Sequence, residues 1–126
     1  MLEKNSFCEV LQENNIHLIV LAGFLLKIPS HLVCSYDKKI INLHPSLLPK
    51  FGGKGMYGDN VHLKVLGSGE KNTGITIHYV NEEYDSGDVI FQKEIELSDV
   101  ESLETLRKKI RDVEYYYFPR VIKNLL

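Results

Sequence analysis

An α/β fold built on an open, mostly parallel sheet is what the sequence predicts, from three observations. Ile16-His17-Leu18-Ile19-Val20-Leu21-Ala22 is a near-continuous apolar run of strand length, the pattern of a parallel strand buried on both faces. Pro29 to Tyr36 opens on proline and serine and reads as a short helix. Lys39-Ile40-Ile41-Asn42-Leu43-His44 is a second short strand, which completes a strand, helix, strand unit of the right-handed crossover kind.

The other elements follow in order. Phe7, Val10 and Leu11 stand at helical spacing between about Ser6 and Asn14, so a helix feeds the first strand, and Asn14-Asn15 stops it. Gly23 closes that strand. Phe51 to Asn60 carries Gly52, Gly53, Gly55 and Gly58 and reads as a mobile loop, followed by a helix over Val61 to Leu66. Lys71-Asn72-Thr73-Gly74 is read as a turn. Ile75 to Val80 and Val89 to Ile95 alternate apolar and polar residues, as half-buried strands do, around the acidic loop from Asn81 to Asp88. Leu103, Leu106, Ile110, Val113 and Tyr117 recur at three- and four-residue steps, so the remainder is a long amphipathic helix that Pro119 is expected to interrupt or kink. Tyr115-Tyr116-Tyr117 is read as packing on that helix.

Composition narrows the function classes. The chain has 126 residues, 44% hydrophobic and 25% charged, enough for one domain with one sizeable core. Fifteen basic against seventeen acidic residues leave a net charge of -2 with no long run of one sign. Neither a nucleic-acid partner nor an anionic membrane surface is suggested. With no basic segment leading into an apolar one at the start, and no apolar run of membrane-spanning length, a cytoplasmic location is expected. Cys8 and Cys34 lack CxxC spacing and are read as reduced, buried thiols.

Chemistry concentrates in Asn42-Leu43-His44-Pro45-Ser46-Leu47-Leu48-Pro49. On a strand, residues two apart project from one face, so Asn42 and His44 point together at the strand's C-terminal end. That is the edge where open α/β sheets bind ligands. A hydrogen-bonded pair with no catalytic role would look the same. Asp85, in the loop between the two later strands, shifts the reading, because a carboxylate beside an imidazole raises its pKa and makes an acid or base for neutral pH. The Asn42 amide could stabilise an oxyanion. With no serine or cysteine obviously paired to the histidine, acyl transfer to a substrate amine fits better than covalent catalysis. His17, His31, His62 and His78 show no metal-ligand spacing, and no metal site is expected. The glycines from 52 to 58 lack the lysine-then-hydroxyl ending of a P-loop.

Those two motifs, with Tyr84-Asp85-Ser86-Gly87-Asp88-Val89-Ile90 completing the second, resemble the formyltetrahydrofolate-dependent formyltransferases. Leu21-Ala22-Gly23-Phe24, Phe51-Gly52-Gly53-Lys54-Gly55-Met56-Tyr57-Gly58 and Gly74 to Val80 are most similar to the branch that acts on glycinamide ribonucleotide. The resemblance runs from about Asn15 to the C-terminus. It implies a Rossmann-like formyltransferase sheet, and transfer of a formyl group from 10-formyltetrahydrofolate, the donor co-substrate, to the amine of glycinamide ribonucleotide in purine synthesis. It also implies Asn42, His44 and Asp85 as catalytic residues: His44 as general acid and proton shuttle, Asp85 as the group that raises its pKa and orients it, Asn42 as oxyanion donor in contact with the folate. Leu25, Leu26, Lys27 and Ile28 match the segment that lines the folate pocket, although simple core packing is the plainer reading of the three apolar ones. Glu114 matches the acid that holds the ribose hydroxyls.

Members of the family begin with a strand and a glycine-rich turn opening a helix, whose N–H groups take the substrate phosphate. Nothing before Ile16 supplies it. Residues 1–126 are therefore read as the C-terminal catalytic part of a single formyltransferase domain, with the N-terminal strands missing. An exposed sheet edge would follow, and with it instability or self-association. Three alternatives stay open: a sibling formyltransferase acting on initiator methionyl-tRNA or a sugar nucleotide, a formyltetrahydrofolate hydrolase, and a non-catalytic remnant that binds folate or a partner chain. The acidic balance and the lack of a basic extension weigh against the tRNA substrate.

Overall fold

A computed structural model describes residues 5–22, 28–83 and 85–126. Its elements run α1 (Asn5–Glu13), β1 (Ile19–Leu21), α2 (Ser30–Ser35), β2 (Ile40–His44), α3 (Asp59–Gly67), β3 (Asn72–Tyr79), β4 (Val89–Glu96) and α4 (Leu103–Leu125). The strands form one sheet in the order β1-β2-β3-β4. β1 and β2 are parallel, joined through α2 as expected, while β2–β3 and β3–β4 are antiparallel. The α/β class holds, but among the described residues the sheet is mixed rather than mostly parallel. For the β3–β4 pair the reason is its connection. The β3–β4 link is too short for a crossover, so the chain must turn back.

Side chains on the two faces of the sheet divide the core. Ile41, Leu43, Ile75 and Ile77 pack toward α3 and α4, against Val61, Val65, Leu106, Ile110 and Phe118. Ile40, on the other face, packs with Cys8 of α1, Ile28, and Leu32 and Tyr36 in and after α2. Because the strand period is two, the residues between these apolar ones form a polar row: Asn42 and His44 on β2, Thr76 and His78 on β3. The register sets Asn42 opposite His78 and His44 opposite Thr76.

Several elements depart from the sequence expectation. β1 is three residues long, and Val20 is 40% exposed. Among the described residues it pairs with β2 alone, whose ladder begins at Ile40, so Ile16 to Leu18 find no described partner to extend it. β3 begins at Asn72, not after a turn at 71–74. Gly74 lies inside the sheet, where a Cβ would stand 1.9 Å from the Lys93 carbonyl oxygen, so glycine serves close approach there. β3 is also buried from Thr73 to His78, because it has a strand on each side and cover on both faces. Pro119 lies within α4, which runs on to Leu125. Tyr115 and Pro119 are exposed, so the carbonyl that loses its N–H partner meets solvent. Arg120 also donates from its side chain to the Tyr116 carbonyl.

The start of α4 is fixed by a capping box between Ser102 and Thr105. Among the described residues no helix is long and apolar enough to cross a membrane.

Candidate active site

Thr76 pins the segment that follows β2. Its hydroxyl donates to the Ser46 carbonyl at 2.7 Å and accepts from the Leu48 N–H at 3.0 Å and the Gln92 amide at 2.9 Å. Held in this way, residues 45–50 fold over the polar row, and His44 is 3% exposed.

Both nitrogens of His44 have assigned neighbours. Nε2 lies 2.8 Å from the Phe51 carbonyl oxygen, which can only accept, so Nε2 carries the proton in the neutral ring. The lone pair of the neutral ring is then on Nδ1, 3.5 Å from Asp85 Oδ1. Asp85 is itself held by the Gly53 N–H, which donates to Oδ2 at 2.9 Å. The glycine-rich loop is thereby tied to the carboxylate. Phe51 and Asp85, the two residues that partner His44, both have positive φ (56° and 52°). Such backbone costs on the order of 1 kcal/mol per residue and is typical of functional sites.

Burial pushes the His44 pKa down, the Asp85 carboxylate and the Phe51 carbonyl push it up, and His78 pushes it down again. The net direction is below the ordinary 6.5. The sequence expectation of a raised value is thus corrected, because removal from water outweighs the charge partner. The consequence is a neutral imidazole at neutral pH, able to accept a proton on Nδ1. Once it does, Asp85 stabilises the cation.

Asn42, His44 and Asp85 line one cavity of about 700 Å³. Glu114 lines it too, on the face of α4 that also presents Arg107, Ile110, Arg111 and Phe118. Burial raises the Glu114 carboxyl to about 6. Among the described residues no cation lies within ion-pair distance of it. A half-buried carboxyl without such a partner is a common mark of a ligand site. Leu25, Leu26 and Lys27 lie outside the described residues. Ile28 is buried in the α1/α2 core cluster and does not line the cavity, so its side chain is core.

Sequence reading missed His62, Arg107, Arg111 and His78. His62 lines the cavity from α3, and its buried Nδ1 has no hydrogen-bond partner among the described residues. Burial lowers its pKa, Asp59 pushes it up and Arg107 pushes it down. Arg107 is paired with Asp59. The three cavity residues of α4 at 107, 111 and 114 share helical spacing, a signal that was available in the sequence. His78 needed the β2–β3 register.

The fold and this polar row define the class: the chain belongs to the formyl transferase family, whose profile matches residues 1–122. More particular likenesses lie within it. The chain is 40% identical to the chloroplastic phosphoribosylglycinamide formyltransferase of Arabidopsis thaliana, over 96% of this chain and 41% of that protein. It is 41% identical to the Bacillus subtilis phosphoribosylglycinamide formyltransferase, over 98% of this chain and 60% of that one. The crystal structure of the phosphoribosylglycinamide formyltransferase from Bacillus halodurans superposes with a TM-score of 0.86 at 35% identity, covering 97% of this chain and 60% of that chain. The chain therefore spans about two fifths to three fifths of the length of these relatives.

Proposed function

We propose that this chain carries the catalytic face for formyl transfer from 10-formyltetrahydrofolate to the amine of glycinamide ribonucleotide, a step of purine synthesis. The observation that carries the reading is the convergence of Asn42, His44 and Asp85 on the cavity that Glu114 also lines. The names of the relatives support it. The folate is a co-substrate that supplies an activated formyl carbon. The chain's own residues orient the reactants and move the proton.

As the acceptor nitrogen bonds to the formyl carbon, negative charge gathers on the formyl oxygen, where an Asn42 N–H donates to it. The amine's proton passes to His44 Nδ1. Asp85, 3.5 Å away, balances the new positive charge, an attraction that is absent while the ring is neutral. The same proton then goes to the departing donor nitrogen as its bond to carbon breaks. Asp85 thus acts through His44, and Glu114 accepts from the ribose hydroxyls.

Calorimetric titration with a folate analogue and with glycinamide ribonucleotide, followed by a formyl-transfer assay, tests the reading. His44→Ala is expected to lower turnover roughly 10²–10⁴-fold, the usual worth of acid–base catalysis. Unchanged turnover would sink the assignment. Formyl release that needs no amine would instead indicate water as acceptor, and folate binding without nucleotide binding would indicate a non-catalytic remnant.

A further inference from the structure

A second histidine is built into the polar row, and the mechanism above does not use it. His78 is 2% exposed and stands directly opposite Asn42 in the β2–β3 register. Its Nδ1 lies 2.9 Å from the Tyr79 carbonyl oxygen. A carbonyl has no proton to give, so Nδ1 carries one, and in the neutral ring Nε2 is a bare acceptor. Asn42 Nδ2 sits 3.3 Å from that Nε2. His44 is the mirror case, with its proton on Nε2 and its lone pair on Nδ1.

We propose that His78 is a positioning residue whose Nε2 lone pair fixes the orientation of the Asn42 amide, so that the second Nδ2–H faces the cavity as the oxyanion donor. The kinetic consequence rests on the formyl-transfer reading; the hydrogen-bond arrangement does not. An amide turned the other way would set Oδ1 against the Nε2 lone pair, two acceptors with no proton between them. It would also present a carbonyl oxygen where charge develops on another oxygen. Among the described residues the polar groups facing His78 are few. They are Asn42 from β2, the Tyr79 carbonyl of its own strand, His44 across the row, and Asp85, whose Oδ1 is 3.8 Å from Nε2. Asp85 defines the rival arrangement, in which His78 carries protons on both nitrogens, pairs with the carboxylate and turns the amide over.

Long-range proton–nitrogen correlation spectra of the ¹⁵N-labelled chain at mildly alkaline pH decide between these. The expected result is a protonated Nδ1 and a bare Nε2 on His78, with the opposite pattern on His44. A protonated Nε2 on His78 overturns the proposal. In the formyl-transfer assay, His78→Leu is expected to lower kcat about 10- to 100-fold with little change in KM, since a misdirected oxyanion donor is the main loss. His78→Gln, whose side-chain oxygen can accept from Asn42, is expected to recover most of that loss. In an Asn42→Ala background the further cost of His78→Leu should fall below about twofold, as coupled residues require. An equal cost in both backgrounds makes His78 merely structural and overturns the proposal. If the unmutated chain transfers no formyl group, the functional reading fails. The tautomer measurement, with the Asn42 side-chain amide resonances, which should shift in His78→Gln, still decides the positioning role, also where His78→Leu does not fold.

Discussion

Glu114→Gln should make the free protein more stable and its ligand binding weaker. The carboxyl rises from an ordinary 4.5 to about 6, and burial is the cause. A carboxyl whose pKa is higher folded than unfolded binds its proton more tightly in the native state. Stability is therefore unaffected below about pH 4.5, falls as pH rises through about 6, and stays reduced above it. At about 1.4 kcal/mol per pH unit, the charged form costs about 2 kcal/mol at neutral pH. Glutamine has nearly the same shape and no charge to desolvate. Urea denaturation of the two proteins across pH 4–8 should therefore show Glu114→Gln about 2 kcal/mol more stable at pH 7, with melting on the order of 8 °C higher, and no difference near pH 4. Binding moves the other way. A carboxylate accepts hydroxyl protons more strongly than an amide oxygen does, so nucleotide affinity should fall roughly tenfold. A difference in stability that is independent of pH, or a less stable variant at pH 7, would refute the claim that this carboxyl is desolvated without a partner.

Asp85→Asn removes the charge that pushes the His44 pKa up and leaves burial to push it down, so the acidic limb of the rate profile should move to lower pH while turnover drops roughly 10- to 100-fold. Asparagine tolerates positive φ, so the backbone at this position is spared, and an unmoved profile would count against the pairing. Gly87→Ala places a Cβ 1.6 Å from the Tyr79 carbonyl oxygen, a backbone atom that cannot yield cheaply; a loss of about 3 kcal/mol in denaturation is expected, and a shift below about 0.5 kcal/mol would contradict the close approach. At Glu101, burial pushes the carboxyl up, but hydrogen bonds from Lys109, Thr105 and the Ser98 N–H more than offset it and hold the pKa down to about 2. Its stabilisation is present above about pH 4.5 and lost as pH falls through about 2, so Glu101→Gln should lower the melting temperature at pH 7 by an amount that vanishes in strong acid.

The helices, the β1–α2–β2 unit and the placement of Asn42 with His44 were all legible in the sequence, because each depends on periodicity within one segment. Two residues on a strand share a face whatever the strand pairs with. The family motifs carried Asp85 to the same place, and the structure brings its carboxylate to His44 Nδ1. Glu114 had no signature of its own beyond a helix position, and only its resemblance to a ligand-holding acid singled it out.

His78 and Thr76 show why the rest was hidden. Their alternation with Ile75 and Ile77 is the pattern of a half-exposed strand, and it reads the same whether the polar side meets water or a second polar row. The antiparallel register of β3 against β2 made the difference, and register is a relation between segments that neither contains. The truncation of β1 and the continuity of α4 through Pro119 have the same origin, since one depends on what lies beside the strand and the other on which carbonyl faces water. The direction of the His44 pKa belongs here too. Sequence alone determined that an imidazole and an amide share one strand face, and the motif resemblance added a carboxylate to them. Tertiary structure decided the direction of the imidazole's pKa, which of its nitrogens faces the carboxylate, and which histidine stands against the amide, because desolvation and hydrogen-bond partners are set by every segment that closes over the site.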